Sequence, residues 1–344
     1  MKNTKHIAIV GAGIAGLEAA SHLSKEGFQV TVFEKENKSG GKLNNWSKLF
    51  PDFAEPDSLL QNLRTQAEHS NINIIYNTEI SSLTKSNGRF ELSDSNKLKC
   101  MADAVMLSPG FSLFDASLKE EYGYKIFDNV ITSADFETLH KQEKKLLTKN
   151  GEIPKRVAIV HCVGSRDAKS GNTYCSKVCC ITGVKQAIEI NKQYPQCEVF
   201  NFYMDLRLYG SKFDSLYLEA QKQHKIQFIR GRLSEVSEKQ DSSLQIKAED
   251  TLSGRPLRMT VDMVILLVGM EPCTSGETLK KDNSIETDEN GFFRSKNIHS
   301  ERNASTHEGV FIAGSCICPM PVNETIENAR SAALAVSDYL KQKQ

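Results

Sequence analysis

The chain has 344 residues, which is long enough for about two domains and a sizeable core. Its 43 basic and 43 acidic residues balance, so the overall charge does not indicate a nucleic acid or an anionic membrane as partner. The first residues lead into a strand pattern without a signal-peptide core, and no later apolar run is long enough to span a bilayer. We therefore expect a soluble, cytoplasmic protein that acts on small molecules or other proteins.

Residues 6–34 have the pattern of a strand, a tight turn, an amphipathic helix and a second strand. The turn matches G-x-G-x-x-G, in which glycines allow a sharp bend, close approach to a pyrophosphate and close packing of helix on strand. Glu34 ends the second strand, where it can accept hydrogen bonds from ribose hydroxyls. The pattern predicts a dinucleotide site whose pyrophosphate lies against Gly11, Gly13, Ile14, Ala15 and Gly16.

The sequence after Glu34 indicates which dinucleotide is bound. The continuation with Gly40, Gly41 and Leu43 resembles the FAD-binding segment of thioredoxin-reductase-like and glutathione-reductase-like flavoproteins. A buried strand pattern ending at Gly314 resembles the second FAD motif of the same proteins, which usually continue with Asp where this chain has Ser315. A helix is expected from the N-cap Asn323 to about Leu340, and in this fold family its N-terminus points at the flavin.

The resemblance also implies a set of residues around the FAD. Trp46 lies in the stretch that would run near the isoalloxazine, where an aromatic ring could shield the flavin or fill core. Pro109 and Gly110 form a turn after a strand, where relatives often carry Ala-Thr-Gly. Besides the glycine turn and Glu34, the candidate FAD-binding residues are Lys35, Gly41, Lys42, Leu43, Trp46, Ile80, Pro109, Gly110, Gly314, Ser315 and Thr325.

The two FAD motifs lie at opposite ends of the chain, so the FAD-binding domain must be discontinuous. We predict an α/β, two-domain, thioredoxin-reductase-like fold in which a second Rossmann-like domain is inserted in the first. The predicted FAD-binding domain comprises 1–115 and 275–344, and the inserted domain comprises 150–274. A connecting segment, 116–149, includes a helix around Ser133 to Lys149.

The inserted domain begins with two strand patterns, Arg156 to Val160 and Glu198 to Tyr203. The helix between them is expected to start near Cys175 and run to Lys192. After the first strand, the sequence has a single glycine, Gly164, where a nucleotide-binding loop would carry three. Direct reduction by NAD(P)H through the usual loop is therefore not expected.

Four of the nine cysteines crowd into residues 161–180. Cys175 and Cys179 are four residues apart, so a helix would place them on one face, whereas Cys180 would point about 100 degrees further round. An irregular turn at the helix start could direct them together with Cys162. Buried structural thiols, a redox-active dithiol, structural zinc and a cubane cluster are alternatives, among which a cluster is favoured beside a flavin.

The cysteine block resembles the signature of the heterodisulfide reductase A-subunit family. The segments that carry this resemblance are Cys162 to Asp167, Tyr174 to Cys180, Tyr122 to Tyr124 and Asn129 to Thr132. The resemblance implies two cofactors, FAD and a [4Fe-4S] cluster. The metal ligands of the cluster would be Cys162, Cys175, Cys179 and Cys180. The resemblance further implies an electron-transfer subunit beside other iron-sulfur subunits, and homodimerisation is expected from the fold family.

The sequence has no C-x-x-C-x-x-C-x-x-x-C-P run of the long archaeal form. It therefore resembles the short form found in heterodisulfide-reductase-like complexes of sulfur-oxidising prokaryotes. The favoured hypothesis is an FAD-dependent oxidoreductase that transfers electrons in cytoplasmic sulfur or disulfide metabolism. The alternatives are a stand-alone NAD(P)H-dependent disulfide or polysulfide reductase that uses cysteine thiols, and a non-catalytic assembly subunit. Cys316 and Cys318 would face the same side of an extended strand, with a packing or a thiol role.

Overall fold

The computed structural model describes residues 4–69, 71–96, 98–210, 212–274, 279 and 285–343. The chain divides into two compact units: Met1–Asn44, Pro56–Ser112 and Glu271–Gln344 form the first, and Asn45–Glu55 and Leu113–Met270 form the second. The predicted insertion of one unit in the other is therefore observed. In this division, segment 116–149 and Asn45–Glu55 belong to the second unit, whereas the predicted boundary at 275 lies outside the described residues.

Strands and helices alternate from His6 to Ile75 and from Val130 to Arg230, as expected for doubly wound units, and further strands follow each of these two segments. In the first part of the chain the strands are β1 (His6–Val10), β2 (Gln29–Phe33), β3 (Ile72–Ile75), β4 (Ile80–Ser86), β5 (Arg89–Asp94), β6 (Lys99–Ala102), β7 (Ala104–Leu107), β8 (Phe111–Leu113) and β9 (Val130–Thr132). They continue with β10 (Arg156–Val163), β11 (Glu198–Tyr203), β12 (Gln227–Arg230), β13 (Leu233–Glu238), β14 (Leu244–Asp250), β15 (Arg255–Val261), β16 (Met263–Val268), β17 (Met270–Pro272), β18 (Ser295–Asn297), β19 (Glu301–Ser305) and β20 (Val310–Ile312). The helices are α1 (Ile14–Lys25), α2 (Pro56–Ala67), α3 (Ser133–Lys141), α4 (Cys179–Gln193), α5 (Phe213–Lys222) and α6 (Val322–Gln342).

The first unit is built on a sheet of order β18-β19-β20-β7-β1-β2-β3. Its central strands are parallel, with Ile9 opposite Val32 on one side and Met106 on the other. These strands are mostly apolar because the sheet is covered on both faces. Helices α1 and α6 contribute Leu17 and Val336 to one core, and a three-stranded sheet, β4-β5-β6, contributes to another. The carboxyl ends of β1, β2, β7 and β20 meet at one edge, where such sheets bind ligands.

The second unit repeats this arrangement with a parallel sheet of order β12-β11-β10-β16-β9. Val157 and Ile159 of β10 pack with Val184 and Ile188 of α4 in its core. Strand β9 pairs with β16 and lies in the segment predicted as a connector. An antiparallel sheet, β13-β14-β15, completes this unit.

Three helix boundaries differ from the predictions. Helix α4 begins at Cys179 instead of near Cys175, because Lys177 adopts a φ of 60° that a helix cannot contain. Helix α3 ends at Lys141 instead of Lys149, shortly before Glu143 with a φ of 54°. The last helix, α6, begins at Val322 with Pro321 at the N-cap position, so Asn323 is its second residue and does not cap it.

Two further details concern strands and membrane spans. Strand β10 extends to Val163, three residues past the predicted end, with an irregular register between Val160 and Val163. Of the helices in the described part of the chain, none combines the length and the apolar character that crossing a membrane requires.

Candidate functional site

The glycine turn after β1 has the geometry that a dinucleotide needs. Gly11 has a φ of 100°, and a Cβ atom there would lie 2.4 Å from the carbonyl oxygen of Ser108. A Cβ atom on Gly16 would lie 1.9 Å from the carbonyl oxygen of Gly11, so α1 packs tightly on the turn. Gly13 has no atom within 4 Å of its Cβ position and faces open space. The turn is therefore tightly packed at Gly11 and Gly16. It is open at Gly13, where a pyrophosphate would approach.

Glu34 lies at the end of β2 beside this turn. Its buried carboxylate accepts hydrogen bonds from the amide of Ala12 at 2.8 Å and from the amide of Glu36 at 3.0 Å. Each carboxylate oxygen retains a second acceptor site, which can receive a ribose hydroxyl. The neighbouring Lys35 is exposed. The hydrogen bond from Ala12 therefore orients the Glu34 carboxylate beside the glycine turn, where it was predicted to bind the ribose.

The segment after Glu34 returns to the glycine turn. The amide of Gly40 donates to the carbonyl of Ala12 at 2.8 Å, and a Cβ atom on Gly41 would lie 3.3 Å from the Cα of Gly13. The ammonium group of Lys42 lies 5.2 Å from the centroid of the Phe111 ring, and burial lowers the pKa of Lys42. Leu43, next in the chain, is fully buried and anchors this segment.

The second predicted FAD motif meets the first at the end of β20. Gly314 has a φ of 78°, and its Cβ position lies 2.9 Å from the Cβ of Ala15 and 3.5 Å from Cγ2 of Thr325. The amide of Gly314 donates to Oδ1 of Asn328 at 2.8 Å. Ser315 is buried in the short 3-10 helix that follows. Asn328 is a site residue that the sequence analysis missed, since only the packing of α6 reveals it.

Most, but not all, of the candidate FAD residues converge in the first unit. Pro109 and Gly110 follow β7 and are half-buried beside Ser108, whose hydroxyl donates to the carbonyls of Val10 and Gly11 at 3.1 Å each. Ile80 lies in the apolar core with Leu107 and Ile312. Trp46 is half-buried and belongs to the second unit.

Three of the four clustered cysteines meet in the second unit. Cys162 lies near the end of β10, and Cys179 and Cys180 are the first residues of α4. All three are buried, and the Cys179 thiol hydrogen-bonds with both Cys162 and Cys180. These bonds lower the pKa of Cys162 to about 7 and that of Cys180 to about 4, and they raise the pKa of Cys179. The thiols of Cys162 and Cys180 are therefore more acidic than that of Cys179.

The remaining cysteine lies in the irregular turn before α4. Cys175 is half-buried and accepts a hydrogen bond from the amide of Lys177 at 3.3 Å. The hydroxyl of the buried Ser176 accepts a hydrogen bond from the amide of Met270 at 2.9 Å, which ties the turn to the start of β17. The predicted irregular turn is present. Because of this turn, α4 begins four residues later than expected, at Cys179.

A buried histidine lies next to the thiols. The Nε2 atom of His161 lies 2.8 Å from Oδ1 of Asn201. Burial lowers the pKa of His161, but its interaction with Cys180 outweighs this and raises the pKa overall. The imidazole therefore interacts electrostatically with the thiols of Cys180 and Cys162.

The donor set has the chemistry that an iron-sulfur cluster or zinc requires, because both bind thiolates. Among the described residues, no group of three or more His, Cys, Asp or Glu side chains has a spacing that could hold a metal ion as it stands. Thiols in mutual contact must separate before they can surround a metal or a cluster. All nine cysteines are free, so thiol chemistry is also open to this site.

The thiols after the second FAD motif do not have the extended geometry considered from the sequence. Cys316 ends a 3-10 helix, and its Sγ contacts the carbonyls of Ala313 at 3.2 Å and Leu107 at 3.5 Å. Burial raises the pKa of Cys316 well above its usual range. Cys318 is half-buried and accepts a hydrogen bond from Arg302 at 3.2 Å. The two thiols therefore have different surroundings and do not share one side of a strand.

Solved structures confirm the predicted fold class. Thioredoxin reductase from Lactococcus lactis superposes with a TM-score of 0.68 at 16% identity, covering 98% of this chain and all of that one. Thioredoxin reductase from T. acidophilum gives 0.67 at 19% identity, covering 99% of this chain and all of that one. Bacillithiol disulfide reductase from Staphylococcus aureus gives 0.63 at 16% identity and full coverage of both chains. The chain has a thioredoxin-reductase-like fold.

Curated relatives confirm the resemblance read from the cysteine block. The chain is 28% identical to the iron-sulfur A-subunit of CoB–CoM heterodisulfide reductase from Methanocaldococcus jannaschii, over 99% of this chain. It is also 28% identical, over 99% of its length, to the A-subunit of H(2)/formate:CoB-CoM heterodisulfide,ferredoxin reductase from Methanococcus maripaludis. The chain spans 65% of the length of each relative. Residues 5–334 match the family described as Pyridine nucleotide-disulphide oxidoreductase. The chain therefore belongs to this family and is an FAD-dependent oxidoreductase.

Proposed function

We propose that this chain is a flavin and iron-sulfur electron-transfer subunit of a heterodisulfide-reductase-like complex in sulfur or disulfide metabolism. The single observation that carries the proposal is the convergence of Cys162, Cys179 and Cys180 at the carboxyl end of β10. That is the position at which a doubly wound unit would otherwise bind a nucleotide. The names of the two relatives, both A-subunits of heterodisulfide reductases, support the same function.

The proposed FAD site uses the residues of the first unit. Gly13 leaves space for the pyrophosphate, Glu34 accepts the ribose hydroxyls, and Lys42 places a desolvated ammonium group in the returning segment. Gly314, Ser315 and the start of α6 near Thr325 lie beside Ala15 and complete the set. When bound, FAD would supply exchange between two-electron and one-electron transfer, and a cluster would supply one-electron transfer.

The proposed cluster ligands are Cys162, Cys175, Cys179 and Cys180. The turn directly after β10 replaces a nucleotide-binding turn, since its glycine, Gly164, is packed against the ring of Phe114 and leaves no open space there for a phosphate. The low pKa of Cys180 and of Cys162 favours the thiolate form that ligation requires. We further propose other iron-sulfur subunits as partners, a homodimer as the assembly, and the cytoplasm as the compartment.

The test is metal and flavin analysis of protein purified without oxygen, with Cys179→Ala as the variant and Cys197→Ala as its control. Cys197 is a buried thiol of the same unit outside the cluster. We expect about four iron and four sulfide per FAD in the wild type and in the control. The variant should lose iron and sulfide but keep FAD. Zinc in place of iron would contradict the redox role.

A second candidate is a thiol-dependent disulfide or polysulfide reductase reduced by NAD(P)H. The contacts of Cys179 with Cys162 and Cys180 favour it, because adjacent thiols and thiolates suit disulfide exchange. Anaerobic titration of the oxidised protein with NADH separates the candidates. Rapid stoichiometric bleaching of the flavin in iron-free protein would establish the second candidate and overturn the first.

A further inference from the structure

Asp205 holds two arginine side chains together beside the clustered cysteines. It follows β11, and its Oδ1 accepts a hydrogen bond from Nη1 of Arg166 while its Oδ2 accepts one from Nε of Arg207 at 3.2 Å. Arg166 comes from the loop after β10 and has a φ of 53°, which non-glycine residues rarely adopt. Two separate loops are therefore joined through one carboxylate.

This arrangement acts on three of the four candidate ligands. The backbone amide of Arg207 donates to Sγ of Cys180 at 3.5 Å. The guanidinium of Arg166 interacts electrostatically with Cys162, and that of Arg207 interacts with Cys175. Two guanidinium groups and one backbone N–H donor therefore lie on the side of the thiols that faces the loop after β11.

Among the described residues of these two loops, the acidic groups do not cancel this charge. Asp205 compensates one of its two arginines. The next carboxylate along the β10 loop, Asp167, is bound by Lys119 and Arg232, each at 2.7 Å. The Asp205 arrangement therefore leaves a net positive charge beside the thiols.

We propose that Arg166 and Arg207, positioned by Asp205, raise the reduction potential of an iron-sulfur cluster held by the four cysteines. This inference rests on the proposed function. A cluster bound by four thiolates gains one negative charge on reduction, so neighbouring positive charges stabilise the reduced state more than the oxidised state. Hydrogen bonds to the ligating sulfurs act in the same direction.

The test is a redox titration of the holoprotein followed by electron paramagnetic resonance. Arg166→Gln and Arg207→Gln each remove one positive charge. Arg258→Gln is the matched control, because Arg258 is exposed and lies on β15 of the same unit. At a fixed potential, the ratio of reduced to oxidised cluster should fall about tenfold in each of the two variants, which is about 59 mV for a one-electron couple. Iron and FAD contents should remain unchanged, and the control should titrate like the wild type.

Wild-type midpoints in both variants, or an equal shift in the control, would overturn the inference. Protein without iron in the wild type would instead refute the proposed function. Arg166→Lys and Arg207→Lys cover the case in which the glutamine variants lose iron. Lysine variants with wild-type iron content and midpoint would support a role of positive charge, whereas their loss of iron would show a purely structural role and overturn the inference.

Discussion

Lys185 donates a hydrogen bond from its ammonium group to Oε1 of Glu137 across 2.6 Å, and both side chains are almost fully buried. The second oxygen of Glu137 accepts the amide and the hydroxyl of Ser47 at 3.1 Å each. The ammonium group also donates to the carbonyl of Lys48 at 3.0 Å. This buried ion pair therefore holds the backbone of Asn45–Glu55 within the second unit.

Removal of the cation from this network should destabilise the protein strongly. In Lys185→Met, the buried carboxylates of Glu137 and Glu189 lose their partner, which costs about 3–5 kcal/mol. Lys192→Met is the control, because its ion pair with Glu219, at 3.8 Å, is exposed and contributes less than about 1 kcal/mol. The free energy of unfolding in denaturant measures both. An equal loss of unfolding free energy in Lys185→Met and Lys192→Met would show that the buried ion pair contributes no more stability than the exposed one.

Glu189 should make the stability of the protein depend on pH. Burial raises its pKa from 4.5 to about 7, although Lys185 opposes the shift. The folded state then keeps a proton that the unfolded chain releases. The stabilising contribution is therefore fully present below pH 4.5 and is lost as the pH rises through 7. Its size is on the order of 3 kcal/mol.

The Glu189→Gln variant, neutral at every pH, isolates this contribution. We expect its free energy of unfolding to fall less than that of the wild type between pH 4.5 and 7. Denaturant unfolding at several pH values gives both curves, and Glu219→Gln provides a control at a more exposed carboxylate. Parallel curves for the wild type and Glu189→Gln would contradict the prediction.

The two glycines of the first turn should respond differently to alanine. Gly13 has a φ of −72° and an open Cβ position, so Gly13→Ala should fold normally. Its methyl group would occupy the space proposed for the pyrophosphate, and FAD binding should weaken at least about tenfold, or about 1.4 kcal/mol. In Gly16→Ala the methyl group would overlap the carbonyl of Gly11, which costs about 1–3 kcal/mol of stability even without FAD.

Thermal unfolding of FAD-free protein and flavin titration separate these effects. We expect Gly13→Ala to retain the wild-type unfolding temperature with reduced FAD affinity, and Gly16→Ala to lose stability as well. Unchanged affinity in Gly13→Ala would place the pyrophosphate elsewhere.

Local patterns in the sequence predict the parts of the fold that depend on neighbouring residues. The glycine turn and Glu34 lie together because one strand-turn-helix-strand segment contains them all. Cys162, Cys179 and Cys180 lie close together for the same reason, since Cys162 is the second-last residue of a strand and Cys179 begins the next helix.

Features that depend on distant partners were not predictable. The transfer of Asn45–Glu55 to the second unit depends on Glu137 and Lys185, which are about 90 and 140 residues further along the chain. Asn323 has the residue type of an N-cap, but Pro321 occupies that position because α6 begins one residue before Asn323. The start of α4 follows Lys177, whose φ is 60°, and the adjacent Ser176 is held by a hydrogen bond from Met270 that no local pattern indicates.

A pair of glycines in the cysteine loop provides the last prediction. Gly164 and Gly171 have similar φ angles, 72° and 77°, so alanine at either position has a comparable backbone cost of about 1–2 kcal/mol. A Cβ atom on Gly164 would also lie 2.0 Å from the ring of Phe114. A Cβ atom on Gly171 would have no neighbouring atom within 4 Å. Gly164→Ala must therefore displace the buried ring of Phe114, the backbone between Cys162 and Arg166, or both.

We expect Gly164→Ala to lose iron while its FAD content stays at the wild-type level, because the displaced loop carries a proposed ligand. Gly171→Ala should keep both, since it has the same backbone strain without the overlap. Iron and flavin analysis of anaerobically purified protein measures the outcome, and denaturant unfolding reports the stability of each variant. Full iron content in Gly164→Ala would contradict the prediction and show that the overlap is relieved without displacing the proposed ligand Cys162.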